Sequence, residues 1–288
     1  MTGSAIETVP SPAPCLLGGG AAGTDAVQVA TLAGGVAAGL VVAAPEPGRV
    51  CEDAAVLVSL DAGRGLLAVA DGVGGRRDGA EAARLVIDSL LEAARRAAGA
   101  SMPLRGVILD AIERANEELV GRGTGSAATL VVVEIDGTTA RSYHVGDAGA
   151  LVVGQRGRVK LQTVPHSPVG YAVEAGVLDG HAAVHHEDLH IVSNLVGAPD
   201  MRIEIGPPLD LAPRDTVVLG SDGLFDNLYL DELVSRVRCG PIDRALEEAA
   251  RLACRRMREP AGGLPSKPDD LSLVLFRRRA TRGRARPA

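Results

Sequence analysis

Short apolar runs dense in valine and leucine recur along this 288-residue chain, and they restrict its fold more than any other feature. They are Val36–Ala44, Ala54–Leu60, Leu66–Ala70, Ala128–Ile135, Thr139–Val145, Leu151–Val153, Val159–Val164, Thr216–Leu219 and Leu271–Phe276. Their length and β-branching predict strands. Asp136-Gly137 lies between two of them as a two-residue hairpin signal, so at least that pair is antiparallel. Helical periodicity marks other segments. One is capped by Asp78 with Glu81 three residues on, and a second is opened by Pro103 with an apolar stripe from Leu104 to Leu119. Two more run from about Leu230 to Val237 and from Pro241 to Met257. Helices arriving in pairs between runs of strands predict an α+β fold: a mostly antiparallel β-sandwich flanked by pairs of α-helices, not βαβ alternation.

Composition narrows the function classes. Hydrophobic residues at 46% and charged residues at 23% belong to an ordinary globular protein. Aromatics are 2% and tryptophan is absent, so the core is aliphatic and a ring-stacking platform for bases or sugars is disfavoured. The net charge is −6, yet residues 277–288 hold six arginines and no acid, which leaves the preceding body at −12. So acidic a body repels a phosphate backbone, and no nucleic-acid partner is expected. The scattered cysteines Cys15, Cys51, Cys239 and Cys254 form no C-x-x-C pair and suit a reducing compartment. The start lacks the pattern of a secretory signal and no apolar run reaches eighteen residues, so no membrane association and a cytoplasmic location are expected. Residues 1–24, rich in Pro, Ala and Gly, read as a flexible leader, and 277–288 as a disordered Arg-rich tail. Gly18, Gly20 and Gly23 match a dinucleotide-loop spacing, but no strand is predicted before them and the match reads as chance.

The informative pattern is acidic. Leu66–Ala70 runs into Asp71-Gly72, Tyr143–Gly146 into Asp147, and Val217–Ser221 into Asp222-Gly223. Glu52-Asp53 and Asp269-Asp270 sit immediately before apolar strands. A carboxylate at the rim of a core strand is costly unless something positive is bound. No lysine or arginine lies within two residues of Asp71, Asp147 or Asp222. If these strand ends converge, little protein cation is near, and a hard, oxygen-ligated divalent ion is the chemical solution. Mg²⁺ or Mn²⁺ fits better than Zn²⁺, since neither His nor Cys accompanies the acids. Any one of these aspartates could instead be a plain turn residue, because Asp-Gly is a common turn signal.

Six spaced segments carry a resemblance. Glu52-Asp53-Ala54, Asp71-Gly72-Val73-Gly74-Gly75, Gly125–Thr129, Val145–Gly149, Ser221–Asn227 and Lys267–Ser272 stand in the order found in the protein phosphatase 2C family of metal-dependent Ser/Thr phosphatases. The chain resembles the compact branch shared by bacteria and organelles, from about Gly48 to Phe276. The resemblance implies a four-layer α-β-β-α arrangement and a single phosphatase catalytic domain over residues 25–276. It also implies two Mn²⁺ or Mg²⁺ ions, with Asp71 shared, Glu52 and the Gly72 carbonyl completing one ion, and Asp222 with Asp269 holding the other. Asp147 matches an acid used for a weaker third ion, and Asp226 orients water around the site. A metal-bridging hydroxide would then attack phosphorus directly, with no covalent phosphoenzyme. The implied partners are phosphorylated proteins, targets of a Ser/Thr kinase, met by a monomer.

The chain departs from the family pattern in two places. Arg49, a candidate for contact with substrate phosphate, lies three residues before Glu52 where about four is usual. Val73 replaces a histidine that many relatives use to protonate the leaving group, so water or another acid serves here. His181, His185, His186 and His190 cluster, but they read as a solvated segment, and His144 as a structural residue. Residues Thr163 to about Asp188, with Pro165-His166-Ser167-Pro168, Tyr171 and Glu174, match the variable flap that shapes substrate choice. Two other functions remain open: a catalytically silent relative serving as a phosphoprotein-binding scaffold, and a small-molecule phosphoesterase.

Overall fold

The structure, a computed structural model, describes residues 15–20, 26–73, 77–98 and 102–279. The nine apolar runs, joined by four strands outside them (Cys15–Gly20, Gln28–Leu32, Glu204–Ile205 and Leu209–Asp210), form two sheets in which every strand pairing among the described residues is antiparallel. The first sheet runs β1 (Cys15–Gly20), β4 (Cys51–Ser59), β5 (Arg64–Val73), β6 (Ala127–Asp136), β7 (Thr139–Val145) and β10 (Glu204–Ile205), with β11 (Leu209–Asp210) also on β7. The second runs β2 (Gln28–Leu32), β3 (Gly35–Val42), β13 (Leu271–Arg278), β12 (Thr216–Gly220), β8 (Gly149–Val153) and β9 (Val159–Gln162).

Alternation along the strands sorts side chains into three apolar layers. In β4 and β5, Ala54, Val56, Ala68 and Ala70 face helices α1 (Arg77–Ala97) and α2 (Leu104–Arg122), while Ala55, Leu57, Leu67 and Val69 face the second sheet. In β12 and β13, Val217, Leu219, Val274 and Phe276 complete that middle layer. Val218, Leu273 and Leu275 face α6 (Leu230–Val237) and α7 (Ile242–Arg258). Short helices α3 (Pro168–Glu174), α4 (Gly180–Ala183) and α5 (Asp222–Phe225) fill the connections. The result is an α-β-β-α sandwich, as expected. Among the described residues no helix is long and apolar enough to cross a membrane, and none of the four cysteines is in a disulfide.

Several boundaries differ from expectation, among them the start of α1 at Arg77, which puts Asp78 in the first turn and not at the cap. The expected leader contains β1, whose Cys15–Gly18 pairs with Leu57–Ala54; a Gly-rich stretch lacks strand propensity, and the neighbouring strand supplies the hydrogen bonds instead. The rest of the leader up to residue 14 lies outside the described residues. Arg277 and Arg278, assigned to the tail, end β13 against Val36 and Gly35, while residues 280–288 lie outside the described residues. The β6–β7 hairpin pairs Asp136 with Thr139, so its two loop residues are Gly137 and Thr138, one place later than predicted. Gly137 takes the positive φ of 59°.

Candidate active site

The acid residues are one end of the sandwich. In β4 and β5 the row that faces the second sheet is apolar as far as Ala55 and Val69, then continues as Asp53 and Asp71, which sit directly opposite each other. Glu52 and Gly72 belong to the opposite row, beneath helix α1. There the backbone approaches so closely that a Cβ on Gly72 would lie 2.1 Å from the Gly79 carbonyl oxygen. Glycine is therefore required at Gly72 for packing, independently of any role for its carbonyl.

The second sheet delivers the facing groups. Asp222 opens the short helix α5 immediately after β12, and Asp226 closes it. Asp269 and Asp270 immediately precede β13. Asp270 acts as a tie between strands: its carboxylate accepts the Ala44 N–H at 2.6 Å and the Glu52 N–H at 2.7 Å. Ser221 makes a similar join, donating its hydroxyl to Asp53 Oδ2 at 2.7 Å while accepting the Ser272 N–H at 2.9 Å. These contacts bring Glu52, Asp71, Gly72, Asp222 and Asp269 to one end of the molecule. Arg49 is there too, with Nη2 3.0 Å from Asp269 Oδ1 and 4.0 Å from Glu52 Oε2.

One expectation is corrected. The acids are not short of protein cation, because Lys267 reaches into them from the loop before β13. Its Nζ lies 2.5 Å from Asp222 Oδ2, 2.9 Å from Asp226 Oδ2 and 3.6 Å from Asp269 Oδ2. Lys267 is 45 positions from Asp222 and so outside the local windows of Asp71, Asp147 and Asp222, although it stands only two residues before Asp269.

Even with Arg49 and Lys267, negative charge is under-compensated. Burial, reinforced by Asp270, pushes Asp53 up to about 8, against the opposing Ser221 hydrogen bond. Burial and the neighbouring Asp222 push Asp147 to about 7 and Asp226 to about 8, with Lys267 opposing both. Asp71 is raised well above the carboxylate range by burial, then by Asp53 and Asp222. Burial raises Glu52 to about 6 despite Arg49, and Asp269 is raised by burial and Asp222. Glu52 Oε1 and Asp53 Oδ1 are buried with no hydrogen-bond partner among the described residues. Orphaned buried carboxylate oxygens beside clustered acids are an oxygen-rich donor set of the kind a hard divalent cation takes, so these residues fit Mg²⁺ or Mn²⁺.

Asp147 joins the same cluster from the β7–β8 turn, where Asp71, Asp222 and Lys267 all act on it or it on them. That turn is clasped by His166, which sequence reasoning did not single out. The Gly146 N–H donates to His166 Nδ1 at 3.1 Å, and the His166 N–H returns a bond to the Gly146 carbonyl at 2.9 Å. Asn194 Nδ2 also donates to His166 Nδ1 at 2.8 Å, and Ser193 donates to the His166 carbonyl through both N–H and hydroxyl. His166 Nε2 then faces Glu204 Oε2 at 3.1 Å. His144, Glu204 and His166 lie close enough together to suggest a metal site. The hydrogen bonds argue otherwise: with Nδ1 accepting two donors, the ring proton of neutral His166 sits on Nε2, so ligation there would require an imidazolate. Beside the clasp opens a cavity of about 300 Å³ lined by His166, Tyr171, Asn194, Arg202, Ile203 and Glu204. The other histidine cluster is exposed as expected, with His181 stacked on the Tyr229 ring at 4.3 Å.

Comparison with known proteins gives the family and the fold. The sequence profile of protein phosphatase 2C matches residues 45–259. A putative protein phosphatase 2C-type protein of Streptococcus pyogenes is 27% identical over 181 residues, 59% of this chain and 71% of its own. Protein phosphatase PTC7 homolog fig of Drosophila virilis is 25% identical over 236 residues, 73% of this chain and 72% of its own. Among solved structures, the S. agalactiae serine/threonine phosphatase superposes with a TM-score of 0.70 at 24% identity, over 88% of this chain and 99% of that one. The catalytic domain of Ser/Thr phosphatase PstP in complex with two manganese ions superposes with a TM-score of 0.66 at 21% identity, over 84% and 96%. At such identities the superpositions establish the fold, and the profile match over most of the length establishes the kinship. The chain belongs to the protein phosphatase 2C family of Ser/Thr phosphatases.

Proposed function

We propose that this protein releases phosphate from phosphoserine and phosphothreonine in proteins, using two divalent cations, Mn²⁺ or Mg²⁺, held at the acid end of the sandwich. The observation that carries this reading is the buried, unpartnered Glu52 Oε1 and Asp53 Oδ1 beside Asp71. When bound, a pair of such ions acidifies a shared water and screens the charge of the transferring phosphoryl group. Asp71 would serve both positions, Glu52 and the Gly72 carbonyl would complete one, and Asp222 with Asp269 the other. Asp147 would hold a weaker third ion, and Asp226 would orient water. The Arg49 fork, already at the rim through Asp269, binds the phosphate oxygens of the substrate. Val73, exposed at the end of β5, has no proton to give, so the leaving alkoxide takes one from water. The partners are phosphorylated proteins, targets of a Ser/Thr kinase, met in the cytoplasm by a monomer, and the cavity beside His166 belongs to the flap that chooses among them.

A phosphothreonine peptide assayed with Mn²⁺, with Mg²⁺ and with chelator tests the reading. Metal-dependent phosphate release is expected. Turnover that persists in chelator would refute the metal mechanism, and Mn²⁺ uptake without turnover would favour a scaffold. Turnover of small phosphomonoesters alone would favour a small-molecule phosphoesterase. Arg49→Ala is expected to raise KM about tenfold with a smaller fall in kcat, because its charge-assisted contact forms before the transition state. An unchanged KM shows that Arg49 does not touch substrate.

A further inference from the structure

The chain is built almost entirely without lysine. Of its 30 basic residues, 28 are arginine, and the lysines are Lys160 and Lys267. Lys160 pairs with Asp215 at 2.5 Å, away from the acid cluster. Lys267 lies among Asp222, Asp226 and Asp269. The two basic side chains are not equivalent: guanidinium is a flat fork, whereas an ammonium is a compact point charge close in form to a monatomic cation. A position surrounded by three carboxylates calls for the second.

Lys267 is also firmly placed. Its N–H donates to Asn227 Oδ1 at 2.8 Å, and its carbonyl accepts from Asn227 Nδ2 at 2.9 Å. The same Nδ2 donates to the Gly223 carbonyl at 3.0 Å, and the Asn227 carbonyl accepts from Arg256 Nη1 at 2.8 Å. Asn227 is fully buried. The lysine backbone is thus fixed to the turn that carries Asp222 and Asp226, and the ammonium is delivered to their carboxylates by the fold itself.

We propose that Lys267 is a tethered cation that occupies the Asp222–Asp269 position until a divalent ion displaces it, so that filling this position is an exchange of one cation for another. The proposal rests on the two-ion reading above and adds its regulation. In the metal-free protein the ammonium offsets part of the carboxylate repulsion. When an ion enters, Nζ leaves Asp222 and Asp269, which makes this position the weaker of the two.

Two measurements on the full chain test it. The first uses the wild type: amine labelling followed by mass spectrometry, in chelator and with saturating Mn²⁺. Lys267 is expected to be protected in chelator and to label several-fold faster with Mn²⁺, while Lys160 labels equally in both. The second is calorimetric Mn²⁺ titration of wild type and Lys267→Met. The second equivalent is expected to bind roughly 10–100-fold tighter to the variant, the range over which groups adjoining a ligand shell alter affinity. In chelator the variant is expected to melt below the wild type, with the gap closing at saturating Mn²⁺. Lys267 labelling that Mn²⁺ does not change overturns the proposal. So does a variant that binds Mn²⁺ equally or more weakly, which would make Lys267 a support for the ligands. Should Lys267→Met fail to fold, the labelling result alone decides. If the wild type takes up no Mn²⁺, the two-ion reading falls and the exchange with it, whereas uptake without exchange removes the exchange alone.

Discussion

Asp71→Asn is expected to lower kcat on a phosphothreonine peptide by about 10³-fold while raising the melting temperature measured in chelator. Asp71 stands in the last row of β5 that faces the second sheet, opposite Asp53 and within the field of Asp222, Asp147 and Asp269. Asparagine keeps its shape, so the register Asp53–Asp71 and Asp71–Thr129 is undisturbed. What disappears is the negative charge that, on the proposed function, two ions would share. Electrostatic help of this kind amounts to several kcal/mol, and about 4 kcal/mol corresponds to about 10³-fold in rate. The same substitution removes a charge that its neighbours repel, so the metal-free fold gains stability. Activity and stability therefore move in opposite directions, which separates this outcome from simple misfolding. Activity retained to within about tenfold would remove Asp71 from the centre of the mechanism.

The metal-free protein should lose stability as pH rises, opposite to the usual behaviour of paired carboxylates. Asp53 and Asp226 are pushed to about 8 and Asp147 to about 7, whereas in the unfolded chain such groups titrate near 4. Between those limits the folded state binds more protons than the unfolded one, so the stability supplied by these groups is complete below about pH 4 and declines through about pH 8. The loss is on the order of a few kcal/mol, or about 10 °C in Tm between pH 5 and 8 for a chain of this size. Saturating Mn²⁺ should flatten the profile, because a cation replaces the protons and releases them. Melting in chelator that is constant or rises across this window would show that the acids are not crowded as the structure places them.

Much of this was readable in advance, for physical reasons that differ by element. β12 and β13 announce themselves because a buried strand must be short, apolar and branched, and the acids that end such strands stand out by contrast. In the sequence Asp53 is distinguished only as the neighbour of Glu52. Strand alternation sends adjacent residues to opposite faces, and only the three-dimensional pairing shows that its face is the one with Asp71 and Ser221. β1 escaped because its pairing with β4, not its own residues, makes it a strand. The roles of Lys267 and His166 depend on partners far along the chain, Asp222 at 45 residues from Lys267 and Gly146 at 20 from His166, and the acid two residues from Lys267, Asp269, does not by itself show that the ammonium reaches the others. Charge balance judged within a local window misses whatever a distant loop carries in.

The clasp at His166 has a consequence for how such a protein can diversify. Every polar atom of that residue is engaged, with Gly146 on one side and Ser193, Asn194 and Glu204 on the other. The two ends of the intervening excursion, from Ser167 to Val192, are thus pinned together at His166, while His181 and His185 rest on Tyr229. If this excursion is the flap that chooses targets, as the proposed function has it, its length and chemistry could change while the anchorage of Gly146 beside Asp147 stays put.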